Sequence, residues 1–445
     1  MESDEEISLR IVKTIYNKAE LIADQVIEEG DNYRNWDEKL DDILTSRWLG
    51  FPIMLLLLGI IFWITIIGAN YPSEALAKLL FGGQQKLALF FMWLNFPNWL
   101  LNFLVYGVYH GLAWVIAVML PPMAIFFPLF TLLEDAGYLP RVAFNLDNAF
   151  RKAGCHGKQA LTMCMGFGCN AAGVVSARII ESPRERLIAI LTNNFVPCNG
   201  RFPTIIILAG IFVGGAIYSY KTLIASAVVV GLVLIGIITT LLVSFILSKT
   251  LLKGVPSNFT LELPPYRKPL IGQVIIRSIM DRTLFVLARA VVVAAPAGGI
   301  IWLLANNYIG EITILSKFIN WLDPFAQLLG MDGVILSAFI LGLPANEIVL
   351  PIMIMGYLSS STMLELDSLI ALKSLLIDNY GWTWLTALSV MLFSLLHYPC
   401  ATTLITINRE TKSLKWAILA ALIPLVIACM VCFSLNFAIN FFSLL

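Results

Sequence analysis

Residues 146–170 read LDNAFRKAGCHGKQALTMCMGFGCN, and residues 322–346 read LDPFAQLLGMDGVILSAFILGLPAN. The two stretches align without a gap at an offset of 176 residues. The coinciding pairs are Leu146/Leu322, Asp147/Asp323, Gly154/Gly330, Gly157/Gly333, Gly166/Gly342 and Asn170/Asn346. Half of these pairs are glycines. Glycine occurs where the backbone adopts a conformation that other residues tolerate poorly, so composition alone does not explain why the glycines coincide. Duplicated, glycine-interrupted segments in matching halves of a membrane protein point to a transport site.

The composition is that of a membrane protein. Hydrophobic residues make up 59% of the 445 and charged residues 13%, against about 25% charged in soluble domains. Several apolar runs reach the roughly 20 residues that span a bilayer. The net charge is zero, which gives no reason to expect a nucleic-acid partner. We therefore predict an all-α polytopic membrane protein that is surrounded by lipid.

The chain divides into four predicted parts. Residues 1–47 are an amphipathic helical segment that we place in the cytoplasm, and they have no signal-peptide pattern. Residues 48–111 hold the first transmembrane helix and an irregular, aromatic-rich interfacial segment. Residues 112–282 and 283–445 are the two repeats. Clean spans are expected at 48–70, 112–133, 187–213, 219–247, 283–304, 382–407 and 413–442.

Basic residues predict the topology. Segments 1–47, 134–158, 178–186, 248–282 and 408–415 are rich in lysine and arginine and should share the cytoplasmic side. This assignment is consistent if 159–179 and 334–357 are broken or re-entrant elements that enter from opposite sides. Each half then has three crossings, an odd number, so the halves have inverted orientations.

The repeat centres carry candidate metal ligands. The first centre supplies Cys169 and the second supplies Glu347, and each is followed by a Pro-Cys pair that contains Cys198 or Cys400. His397 lies one helical turn before Cys400. Thiolate and imidazole ligands favour transition metals, and an ionisable residue such as Glu347 within a span is a functional candidate.

Structural roles compete with this interpretation. Cys198 and Cys400 could fill proline kinks, and the His397 ring could satisfy a carbonyl that a kink frees. Asn170 and Asn346 could bind substrate, although we favour a role in holding the broken backbone. Glu134 and Asp135 are either a cytoplasmic staging point for the metal or a helix-end feature, and the second is favoured. The other cysteines are assigned to packing: Cys155, Cys164, Cys429 and Cys432.

From about residue 32 to the C-terminus the chain resembles the membrane domain of FeoB-type ferrous iron transporters. The similar motifs occur in the same order along the chain. They are DILTSRWLGFPI (42–53), LLEDAGYLPRVAF (132–144), HGKQALTMCMGFGCNAAGVVSARIIESPRERL (156–187), VPCNGRFP (196–203), LPANEIVL (343–350) and HYPCATTLITINRETKSLKWA (397–417).

The resemblance implies movement of Fe(II), as substrate and not as a bound cofactor, across a bacterial cytoplasmic (inner) membrane. It implies a metal path at Cys169, Cys198 and Glu347, and Cys400 joins them by its place in the YPC motif. Small accessory Feo-type proteins are implied as partners, and a homo-oligomer is compatible with the sequence.

Departures from the family's pattern are also present. The chain has no GxxxxGK[ST] phosphate loop, so we expect no GTP hydrolysis by this chain and a separate cytosolic G-domain protein acting in trans, or a cut version of the family. Asn346 replaces the family's lysine beside the gate glutamate, and Pro197, Asn199 and Gly200 surround Cys198. These changes affect the expected metal identity more than transport itself.

Two alternatives remain besides a metal permease. A nucleoside or organic-solute carrier would suit gate-type repeats and would not depend on the cysteines. A metal-responsive membrane scaffold that recruits a GTPase would bind metal without flux. An enzyme is disfavoured, because neither an HExxH nor a GxSxG motif occurs.

Overall fold

A computed structural model describes residues 4–26, 34–46, 48–212, 221–254, 265–363 and 369–443. These residues are almost wholly helical, with a single two-stranded hairpin formed by β1 (Tyr308–Ile309) and β2 (Ile312–Thr313). Six of the described helices are long and apolar enough to cross a membrane, or seven if one bent pair is a single span. The predicted all-α polytopic membrane fold is therefore confirmed.

The first part of the chain forms two short helices and two long rods. Helix α1 (Asp4–Val26) and α2 (Arg34–Leu44) precede α3 (Gly50–Trp93), a helix of 44 residues. After a turn, α4 (Asn98–Leu101), a π-helical stretch and α5 (His110–Asp135) continue as one rod.

The expected irregular segment after residue 70 is not irregular. Helix α3 continues through Pro72 to Trp93, and the next rod begins at Asn98. Alanine, leucine, lysine and glutamine dominate residues 75–89, and these are strong helix formers. At about 1.5 Å per residue, α3 is about 66 Å long, more than twice the roughly 30 Å hydrocarbon core.

Both duplicated segments form broken elements. In the first, α6 (Tyr138–Lys152) leads to α7 (Gln159–Gly168), which stops at Cys169 before α8 (Asn170–Ser176). The remaining helices up to the second copy are α9 (Pro183–Thr192), α10 (Phe202–Phe212), α11 (Lys221–Lys249), α12 (Ile271–Arg277) and α13 (Leu284–Asn306). The second copy consists of α14 (Ile314–Leu328), α15 (Gly333–Leu341), a turn, a 3-10 turn and α16 (Val349–Leu358).

The backbone repeats as closely as the sequence does. Helices α6 and α14 begin and end 176 residues apart. Cys169 and Ala345, which align, both have φ −154° and ψ 125°. Gly154 and Gly330 both adopt positive φ, 76° and 73°, a conformation that glycine tolerates best. The duplication is therefore structural.

One side-chain contact also repeats. Asp147 Oδ1 accepts a hydrogen bond of 3.0 Å from the Gly157 N–H, and Asp323 Oδ1 accepts one of 2.8 Å from the Gly333 N–H. Each aspartate thus ties the helix before the break to the start of the broken element, which explains why the Asp and Gly positions coincide in the two copies.

Two spans that we expected to be clean are broken in the middle. Residues 187–213 contain the end of α9, a gap at 196–201 and α10. Residues 382–407 contain α18 (Trp384–Leu396), a gap at 397–400 and α19 (Ala401–Thr411). Proline removes a backbone donor and clashes with the preceding turn, and each gap contains the proline of a Pro-Cys pair. Helix α17 (Leu369–Lys373) precedes α18, and α20 (Leu414–Ser443), which follows α19, is the final span.

The basic loops lie together at one end of the molecule. Arg184 Nε donates to the Leu252 carbonyl over 2.5 Å, and Lys158 Nζ lies 3.4 Å from Glu181 Oε1. The Lys158–Glu181 contact also joins the two ends of the first broken element, so that element enters and returns at this basic end.

The second broken element enters from the other end. Tyr357 donates a hydrogen bond to Asp332, which joins the two ends of this element. Nearby, Asn306 Nδ2 donates to the Ser361 carbonyl over 2.9 Å. Asn306 is the last residue of α13, and Arg289, about 25 Å earlier on the same helix, bonds to Thr406 beside the basic end. The two repeats are therefore inverted.

Helix α2 is anchored to the basic end by Asp41. Arg141 donates to both Asp41 oxygens over 2.9 and 3.2 Å, and the Tyr266 hydroxyl donates over 2.6 Å. Partial burial pushes the pKa of Asp41 up, but the hydrogen bonds from Arg141 and Tyr266 and the charge of Arg141 outweigh it and hold the pKa below the ordinary 3.8.

We expect the anchoring of α2 to weaken in acid. A depressed folded-state pKa means that the contribution of Asp41 is complete above its unfolded-state pKa and is lost as the pH falls through the folded value. Hydrogen exchange of residues 34–44, corrected for intrinsic rates, should rise as the pH falls below 3.8, the ordinary pKa of the Asp41 carboxyl. In Asp41→Asn that exchange should already be fast at neutral pH. An acid response of the same size in the variant would contradict the assignment.

Candidate metal path

A small cavity lies where the broken elements meet. Its volume is about 30 Å³, enough for one or two water molecules or a partly dehydrated cation. Both repeat centres, both Pro-Cys breaks and helices α5 and α13 contribute to it. The lining residues are Met119, Met123, Gly168, Cys169, Asn170, Cys198, Asn199, Gly200, Ala290, Pro344, Ala345, Asn346, Glu347, Cys400 and Thr402.

The structure brings four of the five candidate ligands to this cavity: Cys169, Cys198, Glu347 and Cys400. The sulfur of Cys198 is close enough to the other two thiols and to the Glu347 carboxylate for electrostatic interaction. All seven cysteines are free thiols. The cavity therefore has soft sulfur atoms on several sides and a single carboxylate.

Glu347 fits against the first Pro-Cys break. A Cβ atom at Gly200 would lie 2.3 Å from Glu347 Oε1 and 2.5 Å from its Cδ. Because Gly200 has no side chain, the Glu347 carboxylate can occupy this space. The second repeat supplies the carboxylate and the first supplies the surface on which it rests, so the site is asymmetric.

Backbone hydrogen bonds connect each Pro-Cys break to the broken element of its own half. The Asn199 N–H donates to the Gly168 carbonyl over 3.3 Å, and the Ala401 N–H donates to the Leu343 carbonyl over 2.8 Å. In each half, the residue after the Pro-Cys cysteine bonds to the broken element of the same half. Asn346 crosses between halves and donates to Cys198 Sγ over 3.7 Å.

His397 does not line the cavity. Its Nδ1 lies 2.9 Å from the Phe393 carbonyl and 3.0 Å from the Ser394 carbonyl, and its ring stacks on Phe393. The Phe393 carbonyl also accepts from the His397 N–H, so the break has not freed it, and the alternative of a ring bonded to a freed carbonyl fits only the Ser394 contact. The residue is 1% exposed, and its Nε2 has no hydrogen-bond partner among the described residues.

Asn170 belongs to a buried asparagine network and also lines the cavity, so its structural role stays a prediction. Its Nδ2 donates to Asn194 Oδ1 over 3.2 Å, and its carbonyl accepts from Asn193 Nδ2 over 3.1 Å. Asn194 in turn donates to the His397 carbonyl over 2.6 Å. The network connects the first broken element to the Pro-Cys break of the other half.

Glu134 and Asp135 are exposed at the last turn of α5 and are absent from the cavity lining. Three residues after Glu134, the Gly137 carbonyl accepts a hydrogen bond from Arg141, which lies at the basic end of the molecule. The pair thus lies at the basic end and has no part in the cavity.

Arg201 is the central residue that the sequence interpretation missed. It is 1% exposed, is the last residue of the gap in the first broken span and bonds to five acceptors. A single arginine inside the apolar run around VPCNGRFP was the available signal, since charged residues within spans are costly and rarely accidental.

A second, larger space opens towards the basic end. This cleft has a volume of about 430 Å³ and shares helices α8, α13 and α19 with the small cavity. At its edge, Arg178 Nε and Nη2 each donate over 2.7 Å to a different oxygen of Glu410. This two-pronged ion pair connects residues 232 positions apart and joins the two repeats.

The candidate ligands do not surround a common point. Within the described residues, no three His, Cys, Asp or Glu side chains converge closely enough to hold one metal ion. The cavity lining presents three thiols and one carboxylate without gathering three of them at one point. Thiol groups are the side chains that soft and borderline cations prefer.

Comparison with known families agrees with this architecture. The Gate family model, described as nucleoside recognition, matches residues 116–212 and 287–414, half of the chain and one stretch in each repeat. The model for the ferrous iron transport protein B C terminus matches residues 229–281, between the two stretches.

Curated relatives are iron transporters by name. The Fe(2+) transporter FeoB of Staphylococcus aureus (strain MSSA476) is 30% identical over 419 residues, which is 92% of this chain and 60% of that protein. The Methanocaldococcus jannaschii Fe(2+) transporter FeoB is 27% identical over 95% of this chain and 62% of its own length. A Porphyromonas gingivalis fusion of Fe(2+) transport protein A with FeoB is 27% identical over 89% and 51%. No solved structure matches.

The fold and the matched regions define a membrane protein built from two Gate repeats. The chain belongs to the Gate family, and between its two Gate stretches it also matches the model for the ferrous iron transport protein B C terminus. It spans about 60% of the length of the curated FeoB relatives named first.

Proposed function

We propose that this chain carries Fe(II), or a related divalent transition metal, across the membrane through the Cys/Glu-lined cavity between the two repeats. The observation that supports this most is the meeting of Cys169, Cys198, Cys400 and Glu347 at one cavity of about 30 Å³. Three thiols suit borderline cations, and the carboxylate offsets positive charge where water is scarce.

The size of the cavity favours an ion over an organic solute. Sites for drug-sized ligands occupy about 300–1,000 Å³, an order of magnitude more than the space beside the thiols. The cleft of about 430 Å³ falls within that range, but no cysteine lines it. The description of the Gate family as nucleoside recognition keeps the nucleoside carrier as the second candidate. A scaffold that binds metal without flux is the third.

Transport would proceed by alternate opening of the inverted repeats. Each broken element enters from one end of the molecule, and non-helical backbone at membrane depth is tolerated where it lines a cavity. The cation would exchange water for cavity ligands as the breaks approach it. The ligand set would become complete only when the elements move together.

The setting of this function follows the relatives and the charge pattern. We place the chain in a bacterial cytoplasmic membrane with the basic end in the cytoplasm. A cytosolic G-domain protein would dock at that end and regulate opening. Because one relative is a fusion with Fe(2+) transport protein A, a small Feo-type protein is a further partner.

Reconstitution tests the proposal. The purified chain in liposomes should admit Fe(II), and Mn(II) and Zn(II) more weakly or comparably, with a soluble G-domain partner raising the rate. A metal-sensitive dye inside the vesicles reports flux. Radiolabelled nucleoside entry without metal entry would favour the carrier alternative, and metal binding without entry would favour the scaffold.

In this proposal the Arg178–Glu410 ion pair, called the latch below, holds the cleft at the basic end closed. Breaking it with Arg178→Ala or Glu410→Ala should open the cleft and change uptake several-fold. The double variant Arg178→Glu with Glu410→Arg should restore wild-type behaviour, because the reversed pair bridges the same helices. The exposed pair Glu74–Lys78, 2.6 Å apart within α3, is the control, and its reversal should leave uptake unchanged. Equal uptake in all latch variants would contradict a gating role.

A further inference from the structure

We infer that Arg201 is a positioning residue that holds the two Pro-Cys breaks, and with them the Cys198 and Cys400 thiols, at a fixed separation across the cavity. The inference rests on the proposed metal path, and it concerns how that path keeps its shape.

The hydrogen bonds of Arg201 reach both halves of the molecule. Nη1 donates over 2.8 Å to the carbonyls of Asn194 and Leu395. Nη2 donates over 3.0 Å to Asn194 Oδ1 and to the carbonyls of His397 and Tyr398. Arg201 belongs to the first break, and its guanidinium therefore connects that break to the end of α18 and to the first residues of the second break.

The acceptors explain why a charge is placed there. Helix α18 ends at Leu396, so the carbonyls of Leu395, His397 and Tyr398 lie where the helix leaves its last acceptors unpaired. That end carries partial negative charge, which a buried cation stabilises. Five bonds from the two Nη atoms replace part of the hydration that Arg201 loses, while its buried Nε has no hydrogen-bond partner among the described residues. Charge-assisted bonds of this kind are stronger than neutral ones.

The geometry transmits position to the sulfur atoms. Cys198 lies three residues before Arg201 in one break, and Cys400 lies two residues after Tyr398 in the other. The Arg201 N–H also bonds back to the Cys198 carbonyl over 2.9 Å. Any shift of one break relative to the other would stretch the guanidinium bonds, so the distance between the two thiols follows Arg201.

Lysine cannot reproduce this arrangement. Its ammonium is a compact charge with three donors on one nitrogen, whereas the guanidinium presents a rigid planar fork. Arg201→Lys keeps the charge and most of the volume, so it separates the effect of geometry from that of charge. Arg141→Lys is the matched control, since Arg141 is 2% exposed and bonds to Asp41 and to the Gly137 carbonyl, away from the cavity.

A thiol-bridging measurement tests the inference without any metal flux. The full chain, with Cys198 and Cys400 as its remaining cysteines, is purified in detergent and treated with dibromobimane, which fluoresces strongly after joining two nearby thiols. Arg201→Lys should slow bridging at least about tenfold, the effect of 1.4 kcal/mol, while Arg141→Lys should bridge at the parental rate. Cd(II) titration of the same variants should show a weaker sulfur-to-cadmium charge-transfer absorbance only for Arg201→Lys.

The outcomes separate this inference from the proposed function. A folded Arg201→Lys protein with parental bridging and Cd(II) absorbance overturns the positioning role, as does a parental background that does not bridge. If Arg201→Lys does not fold, Asn194→Ser decides, because Asn194 Oδ1 accepts from Arg201 Nη2 and Asn194 Nδ2 donates to the same His397 carbonyl as Arg201. Unchanged bridging in that variant also overturns the inference. If the wild-type chain takes up no Fe(II) but Arg201→Lys still slows bridging, the metal path is rejected and the positioning role stands.

Discussion

Replacing Glu347 with glutamine should lower Fe(II) uptake about 10- to 100-fold without unfolding the protein, because a hydrogen bond or ion contact to a charged group contributes about 1.5–3 kcal/mol. Glu347 is the sole carboxylate among the residues that line the cavity. Glutamine keeps the shape and removes the charge that would offset the cation. Initial uptake rates in liposomes, normalised to reconstituted protein, measure the effect.

The control for Glu347→Gln is Glu311→Gln, an exposed position in the β1–β2 hairpin turn. It makes the same chemical change far from the cavity and should leave uptake at the wild-type rate. Wild-type uptake by Glu347→Gln would remove this carboxylate from the path and leave the thiols as its ligands.

The second large effect is expected for Gly200→Ala. The added methyl group would lie 2.3 Å from Glu347 Oε1, well inside van der Waals contact, so either the carboxylate leaves the cavity or the break shifts. Overpacking of this kind costs about 1–3 kcal/mol, and it should lower both the melting temperature and Fe(II) uptake. Thermal unfolding in detergent and uptake in liposomes are measured on the same preparation.

Gly210→Ala provides the comparison, because a Cβ at Gly210 meets nothing within 4 Å and the residue lies in α10 of the same broken span. Its stability and uptake should equal or exceed those of the wild type, since alanine favours a helix over glycine. If Gly200→Ala behaves like Gly210→Ala, the close fit between the first break and Glu347 is not required for transport.

The repeated glycines and aspartates made the main architecture predictable. Glycines such as Gly154 and Gly330 occupy positions with positive φ, and Asp147 and Asp323 make the same backbone contact. Local geometry of this kind leaves a direct trace in sequence. Basic loops gave the inversion for a similar reason, since their charge distribution follows the side of the membrane.

The asymmetric details needed the three-dimensional structure. The sequence gives His397 and Cys400 the spacing of neighbours on a helix, but the gap at 397–400 turns the ring towards Phe393 while the thiol reaches the cavity. Arg201 was overlooked because three of its five acceptors are backbone carbonyls almost 200 residues away. Carbonyl acceptors carry no residue identity, so no sequence pattern reports them.

X-ray absorption of the Fe(II)-loaded protein, prepared without oxygen, tests most directly whether the cavity binds the metal between the two repeats. The proposed path predicts sulfur scatterers at about 2.3 Å, the usual thiolate distance for a first-row metal, together with oxygen from Glu347. The sulfur contribution should fall in Cys198→Ser and in Cys400→Ser, while Cys432→Ser, whose thiol bonds to the Ser389 carbonyl in packed helices, should leave it unchanged. A first shell made of oxygen and nitrogen alone, with no change in the cysteine variants, would contradict the Cys/Glu path.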